Sequence, residues 1–111
     1  MDSLKNYRSI IRQVLTEYAS IGYSRGDMRS ENVFDETNDR YLLLRMGWDG
    51  PHSAYGVVIH LDIIDGKIWL QCDNTDAVVA HDLEWAGVPK KDIVLGFQPP
   101  EVRPLTDYAV A

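Results

Sequence analysis

His60, Asp62, Trp69 and Gln71 are the residues whose types and spacing come nearest to a chemical site in this chain. They converge if Asp65-Gly66 forms a two-residue type I′ turn, whose two positive φ angles Asp and Gly tolerate. Ile64 then opposes Lys67, and counting back sets Ile63 against Ile68, Asp62 against Trp69, Leu61 against Leu70, His60 against Gln71 and Ile59 against Cys72. Alternate residues of a strand point to opposite sides, so Ile59, Leu61, Ile63, Ile68, Leu70 and Cys72 make one apolar face. The other face gathers His60, Asp62, Trp69 and Gln71, with Arg45 on the neighbouring strand as a candidate cation. A Trp beside His, Asp and Gln combines apolar area with orienting hydrogen bonds, which suits a small ligand or a partner side chain. The competing reading is a structural network in which His60, Asp62 and Arg45 satisfy one another, and it comes first because such networks outnumber sites.

Other patterns that could do chemistry are weaker. His52, His60 and His81 form no His-Glu-x-x-His and no close Cys/His set, so no metal site and no cofactor is expected. Cys72 falls on the apolar face in this register, where a thiol is inert. Asp49 followed by Asp65-Gly66-Lys67 imitates the spacing of metal-dependent nucleases, which gather two carboxylates around Mg²⁺ near a lysine. Asp65 and Gly66 are already accounted for as turn residues at a hairpin tip. The expectation is therefore no catalytic residues and no enzyme activity.

The elements that position these residues read as one α+β domain spanning residues 1–111, a length that suits a single core. Leu4, Tyr7, Ile11, Val14, Leu15 and Tyr18 recur at helical spacing behind a cap at Asp2 or Ser3, and Gly22 ends that helix. Residues 22–32 are polar and turn-rich and read as a loop. Strands follow at Asn32 to Asp35, Arg40 to Trp48, Ser53 to Ile64 and Lys67 to Cys72, an antiparallel β-meander covered by helices on one face. Asn74 or Thr75 caps a second helix that runs to Ala86, with Asp76 at its positive end. Gly87-Val88-Pro89 stops it in a Schellman arrangement. The helix crosses back to a final short strand, Ile93 to Phe97. Beyond it Pro99, Pro100 and Pro104 keep the tail extended, with Gln98, Glu101, Arg103 and Tyr108 as candidate contacts to the body, to a partner or to a second protomer.

Charge narrows the function. The net charge is -6; residues 1–47 hold seven basic against seven acidic side chains, and residues 48–111 hold four against ten. Lys5, Arg8 and Arg12 form the one basic stripe, on the polar side of the first helix, and it reads as a solvated face rather than a phosphate-binding one. The single cysteine excludes an intramolecular disulfide, and no secretory or membrane-spanning run is present, so a cytoplasmic protein is expected.

The C-terminal stretch GVPKKDIVLGFQPPEVRPLTDYAVA, with Tyr41-Leu42-Leu43-Leu44, Gly47-Trp48, Tyr55-Gly56, residues 58–63 and Asp65-Gly66-Lys67-Ile68-Trp69, closely resembles the XisI family. These are controlling factors for developmentally regulated excision of the fdxN DNA element in heterocyst-forming cyanobacteria. The resemblance implies an XisI-like fold and a non-enzymatic accessory role, exerted with an XisH-like protein and, in the fdxN setting, an XisF-type serine recombinase. Two alternatives stand beside it: a small-ligand-binding regulatory module using the Trp69 face, and an antitoxin-like neutraliser of a nuclease-type partner. Family members usually carry His where this chain has Gln98, so an imidazole there has no role in this protein.

An acidic chain repels phosphates before any specific contact forms. The isolated protein should bind duplex DNA weakly or not at all in a fluorescence anisotropy titration at about 150 mM salt; a sub-micromolar dissociation constant there overturns the reading.

Overall fold

The computed structural model describes residues 3–21 and 27–111. Helix α1 (Ser3–Ala19) opens the chain and buries Tyr7, Ile10, Ile11, Val14 and Leu15. Their three- and four-residue spacing puts them on one stripe, with Leu4 and Tyr18 partly buried at its ends. The helix closes earlier than the sequence suggests: Ser20 N–H donates to the Thr16 carbonyl at 3.1 Å, and Gly22 lies outside the described residues.

Five strands follow in the spatial order β1-β2-β3-β4-β5. They are β1 (Asp27–Asp35), β2 (Arg40–Asp49), β3 (His52–Ile64), β4 (Lys67–Asp73) and β5 (Ile93–Leu95). The first four form the expected antiparallel meander, and β5 returns parallel to β4. The crossover holds helix α2 (Val79–Trp85). Both helices pack on one face, where Tyr41, Leu43, Ile59, Leu61, Ile68, Leu70 and Ile93 meet them in the core. The fold is α+β, as expected.

Three expectations are corrected. Residues 27–32 belong to β1 rather than to a loop, because an edge strand with one wet face accepts polar residues once β2 supplies the backbone ladder. Helix α2 starts at Val79, not near Thr75: the Asp73 carboxylate takes the N–H groups of Thr75 (3.0 Å) and Val79 (2.9 Å), so residues 74–78 form a loop wrapped on that side chain. Asp76 is exposed in that loop. The last strand is three residues long, ending at Leu95.

The local signals at the turns hold. Asp65 (φ 50) and Gly66 (φ 79) make the hairpin turn with Ile64 opposite Lys67. Gly87 (φ 112) ends α2, with Val88 N–H bonded to the Leu83 carbonyl at 3.0 Å and Gly87 N–H to that of Glu84 at 3.0 Å. These are the two bonds of a Schellman motif, and Val88 is buried as its hydrophobic contact.

Tyrosine hydroxyls tie the layers together. Tyr7 donates to Asp92, Tyr18 to Asp82 and Tyr108 to Glu84 (2.7 Å), while Tyr41 donates locally to Asp39 (2.9 Å), the carboxylate that Arg8 of α1 also reaches. Burial first, and then the facing carboxylate, raises the pKa values of Tyr7, Tyr41 and Tyr108 from 10.0 to about 12 each. A folded-state pKa above the unfolded one gives stability that is complete below pH 10 and disappears as pH rises toward 12. Equilibrium unfolding in denaturant should show a loss of stability across that window. Tyr41→Phe should shrink the loss and cost about 1.5–3 kcal/mol at neutral pH, the range for a hydrogen bond to a charged group. An unfolding midpoint unchanged between pH 9 and 12 contradicts this.

Candidate functional site

The hairpin register expected from the turn holds from Ile64/Lys67 to Leu61/Leu70 and then slips by one. Gln71 is the extra residue of a β-bulge on β4, which sets Cys72 opposite His60 and Asp73 opposite Ile59. Two expectations change with it: His60 does not pair with Gln71, and Cys72 is not in the core. Cys72 is half-buried, its thiol near the carbonyls of Val57 (4.0 Å) and Val58 (3.9 Å), with Asn74 Nδ2 donating to Sγ at 3.3 Å. Burial, and then the nearby Asp73 charge, pushes the thiol pKa up. That keeps it protonated and poorly nucleophilic.

His60, Asp62, Trp69 and Gln71 nevertheless meet on the face away from the helices. Asp62 is their centre and is only 5% exposed. It bonds His60 Nε2 at 2.7 Å, accepts from Gln71 Nε2 at 3.3 Å and pairs with Arg40 Nη1 at 3.5 Å. The cation is thus Arg40, its cross-strand partner, and not Arg45. Arg45 is five residues further along a regular strand and therefore on the helix side, where it flanks a cleft with Tyr18, Leu43 and Asn74.

Sequence reasoning missed Arg40, which comes opposite Asp62 through a second bulge. Counting from the β2–β3 turn, where Asp49 pairs with His52, sets Arg40 opposite Leu61; the extra residue Val58 moves it opposite Asp62. The shift has a cause. Without it Tyr41 and Leu43 would align with His60 and Val58 instead of Leu61 and Ile59, and the core face would be split.

The tail closes over one side of this cluster. Gly96 lies so near β4 that a Cβ there would stand 3.2 Å from Trp69 Cε3 and 2.4 Å from Gln71 Oε1. Arg103 then lies over the Trp69 ring at 5.0 Å, with Nε donating to the Gln98 carbonyl at 3.1 Å and Nη2 to that of Gly96 at 3.4 Å. A one-turn 3₁₀ segment, Arg103–Leu105, and a bridge from Ala109 to Val94 make the tail a folded strap rather than a plain extended run. Tyr108 reaches Glu84, which Lys90 also contacts at 3.3 Å; the Tyr108 hydroxyl, then Lys90, hold the Glu84 carboxyl below its usual pKa. Glu101 is exposed. Of the four candidate tail residues, Arg103 and the Gln98 backbone join the Trp69 cluster, and Tyr108 pins the strap to α2.

The arrangement suits recognition more than reaction. Among the described residues no three of His, Cys, Asp and Glu gather as a metal site. Asp49 and Asp65 lie at opposite ends of the sheet, on the order of 40 Å apart by strand rise, so the nuclease-like spacing does not assemble. The basic stripe of α1 is engaged by the β1–β2 turn: Arg8 forms a bidentate pair with Asp39 (2.7 and 3.0 Å), and Arg12 pairs with Glu36. Arg8 holds the Asp39 carboxyl below its usual range, Tyr41 adding to the effect.

The family model described as XisI protein matches residues 1–110. No curated protein matches the chain. A solved XisI-like protein from Anabaena variabilis ATCC 29413 is 44% identical over 97% of this chain and 99% of its own, with a TM-score of 0.91. The fdxN element excision controlling factor XisI from the same organism is 35% identical over 99% of this chain and 100% of its own, with a TM-score of 0.85.

Trp69 and fully buried Val94 owe their cover to the strap. Truncation after Phe97 should lower unfolding stability by about 2–4 kcal/mol, the scale of exposing one or two large apolar side chains. Arg103→Ala should cost about 1–2 kcal/mol through the lost ring contact and the two carbonyl bonds. An unchanged denaturation midpoint in the truncated chain shows that the strap is not part of the fold.

Proposed function

Because the chain belongs to the XisI family, we propose that it is a non-catalytic accessory factor in controlled excision of a DNA element. It acts through a protein partner, an XisH-like protein, and not by holding DNA itself. The observation that carries this reading is the α1 stripe: Arg8 and Arg12, two of its three cations, are committed to Asp39 and Glu36, and an acidic chain offers phosphates little else. The excision role is supported by the 35%-identical controlling factor, alike over essentially the whole of both chains.

A partner finds a suitable surface around α2. The acidic excess lies in residues 48–111. Glu84 on α2 is held ionised, and Trp85 beside it is 90% exposed. A large exposed aromatic beside an ionised carboxylate, in the acidic part of the chain, fits a partner that is basic around an apolar pocket. In the fdxN setting the resulting complex would bear on an XisF-type serine recombinase.

Co-expression with an XisH-like protein, purified through a tag on one chain, should recover both at fixed stoichiometry. Trp85→Ala should weaken the complex by about 2 kcal/mol, roughly thirtyfold, with the melting temperature unchanged. Recovery of the tagged chain alone, with tight duplex binding by the isolated protein, rejects the proposal.

A further inference from the structure

The sheet face opposite the helices is covered only at β4 and β5, by the strap. Across β1, β2 and β3 no described element lies over it. Strand pairing places Val33, Leu42 and His60 side by side there, then Leu44 with Val57, then Met46 with Tyr55, and Trp48 with Ser53. Tyr55 is 74% exposed, Trp48 55%, Val33 45% and Val57 36%. Exposed aromatics and aliphatics continuous over three strands are more than the scattered apolar residues of an ordinary surface.

Charge on this face indicates what covers it. Its cations are Arg29, Arg40 and Lys67 and its carboxylates Asp27, Glu31, Asp35 and Asp62, three against four in a chain of net charge -6. Arg103, lying on Trp69, adds a fourth cation at the margin. A nearly neutral face offers nothing to nucleic acid and no attraction to a basic partner, which the α2 side provides. It is a broad surface that a second acidic copy can approach without strong repulsion. Arg29 and Glu31 sit two residues apart, 3.1 Å from each other, and Arg40 stands beside Asp62, so each copy can set a cation against a carboxylate of the other.

We infer that two copies of this chain pair through this face, sheet against sheet, with Val33, Leu44, Val57 and Tyr55 at the centre. Two sheets stacked about 10 Å apart give side chains room to interdigitate. Three strands that run side by side over nine or ten residues present on the order of 500 Å² per copy, about 1,000 Å² in total, the lower bound for a specific interface. The inference is independent of the function proposed above, which uses the opposite side of the molecule.

Sedimentation equilibrium of the full chain, in reductant so that Cys72 stays a thiol, tests it. The wild type should have twice the monomer mass at about 10 μM. Val33→Lys with Val57→Lys should be monomeric there, at least a hundredfold weaker in self-association, because like charges then face each other at the centre. Val33→Thr with Val57→Thr keeps the branched shape and should weaken pairing if the lysine variant fails to fold. A monomeric wild type at about 100 μM, or dimer mass retained in folded variants of both kinds, overturns the inference. A monomeric wild type whose lysine variant also loses a co-purifying XisH-like protein assigns the face to that partner instead, and equally overturns it.

Discussion

The side-chain parity of the β3–β4 hairpin is the constraint on which the rest of the structure depends. Asp65 and Gly66 set it by accepting positive φ angles. From that turn Leu61, Ile63, Ile68 and Leu70 fall on one side, and Asp62 and Trp69 on the other. Everything that packs on the sheet must respect this division: α1 and α2 bury their stripes on the first side, and the strap settles on the second. The β2–β3 bulge follows from it as well. Strand β2 brings its own register from its own turn, and the one extra residue Val58 is the smallest correction that returns Tyr41 and Leu43 to the core side, whereas the bulge at Gln71 ends the hairpin's shared parity beyond Leu70.

Polar fasteners then hold the layers at fixed distance. The core is largely aliphatic, and aliphatic contacts attract without fixing orientation. Tyrosines supply the orientation, since Tyr7, Tyr18 and Tyr108 each lay a ring in or beside the core and carry the hydroxyl to a carboxylate on another segment. Asp39 shows the economy of this device, receiving Tyr41 from below and Arg8 from α1 while its own carbonyl accepts from Ile63 N–H at 3.0 Å. A basic stripe that in isolation resembles a phosphate contact is thereby part of the fold.

What could be read from the sequence was what local chemistry decides. The Asp65-Gly66 turn, the Gly87-Val88-Pro89 stop and the stripe of α1 each rest on a few adjacent residues, and each is present. The His60, Asp62, Trp69 and Gln71 cluster was also legible, because it lies within about ten residues of the turn. Errors begin where a distant segment decides. Residues 27–32 lack any apolar signal of their own and become a strand because β2 offers a ladder. Arg45 falls on the helix side by strand parity, Arg40 meets Asp62 because β3 carries the extra residue Val58, and Asp73 caps a helix six residues ahead because its loop folds back on it. The strap over Trp69 depends on Gly96 and Arg103, far from Trp69 in sequence, so nothing near the Trp announces its cover.

These features leave two surfaces with opposite electrostatic characters, a separation with physical consequences for assembly. Tyrosines donate to Asp82, Glu84 and Asp92 around the α2 end, and the Tyr108 hydroxyl, then Lys90, hold the Glu84 carboxyl below its usual range. Across the sheet, cations and carboxylates neighbour one another on the same or adjacent strands and nearly cancel. Under the two proposals, attraction to a basic protein would act through the α2 end, whereas contact across the sheet would rely on short-range apolar burial. Occupying one surface leaves the other free, because the core of the domain lies between them.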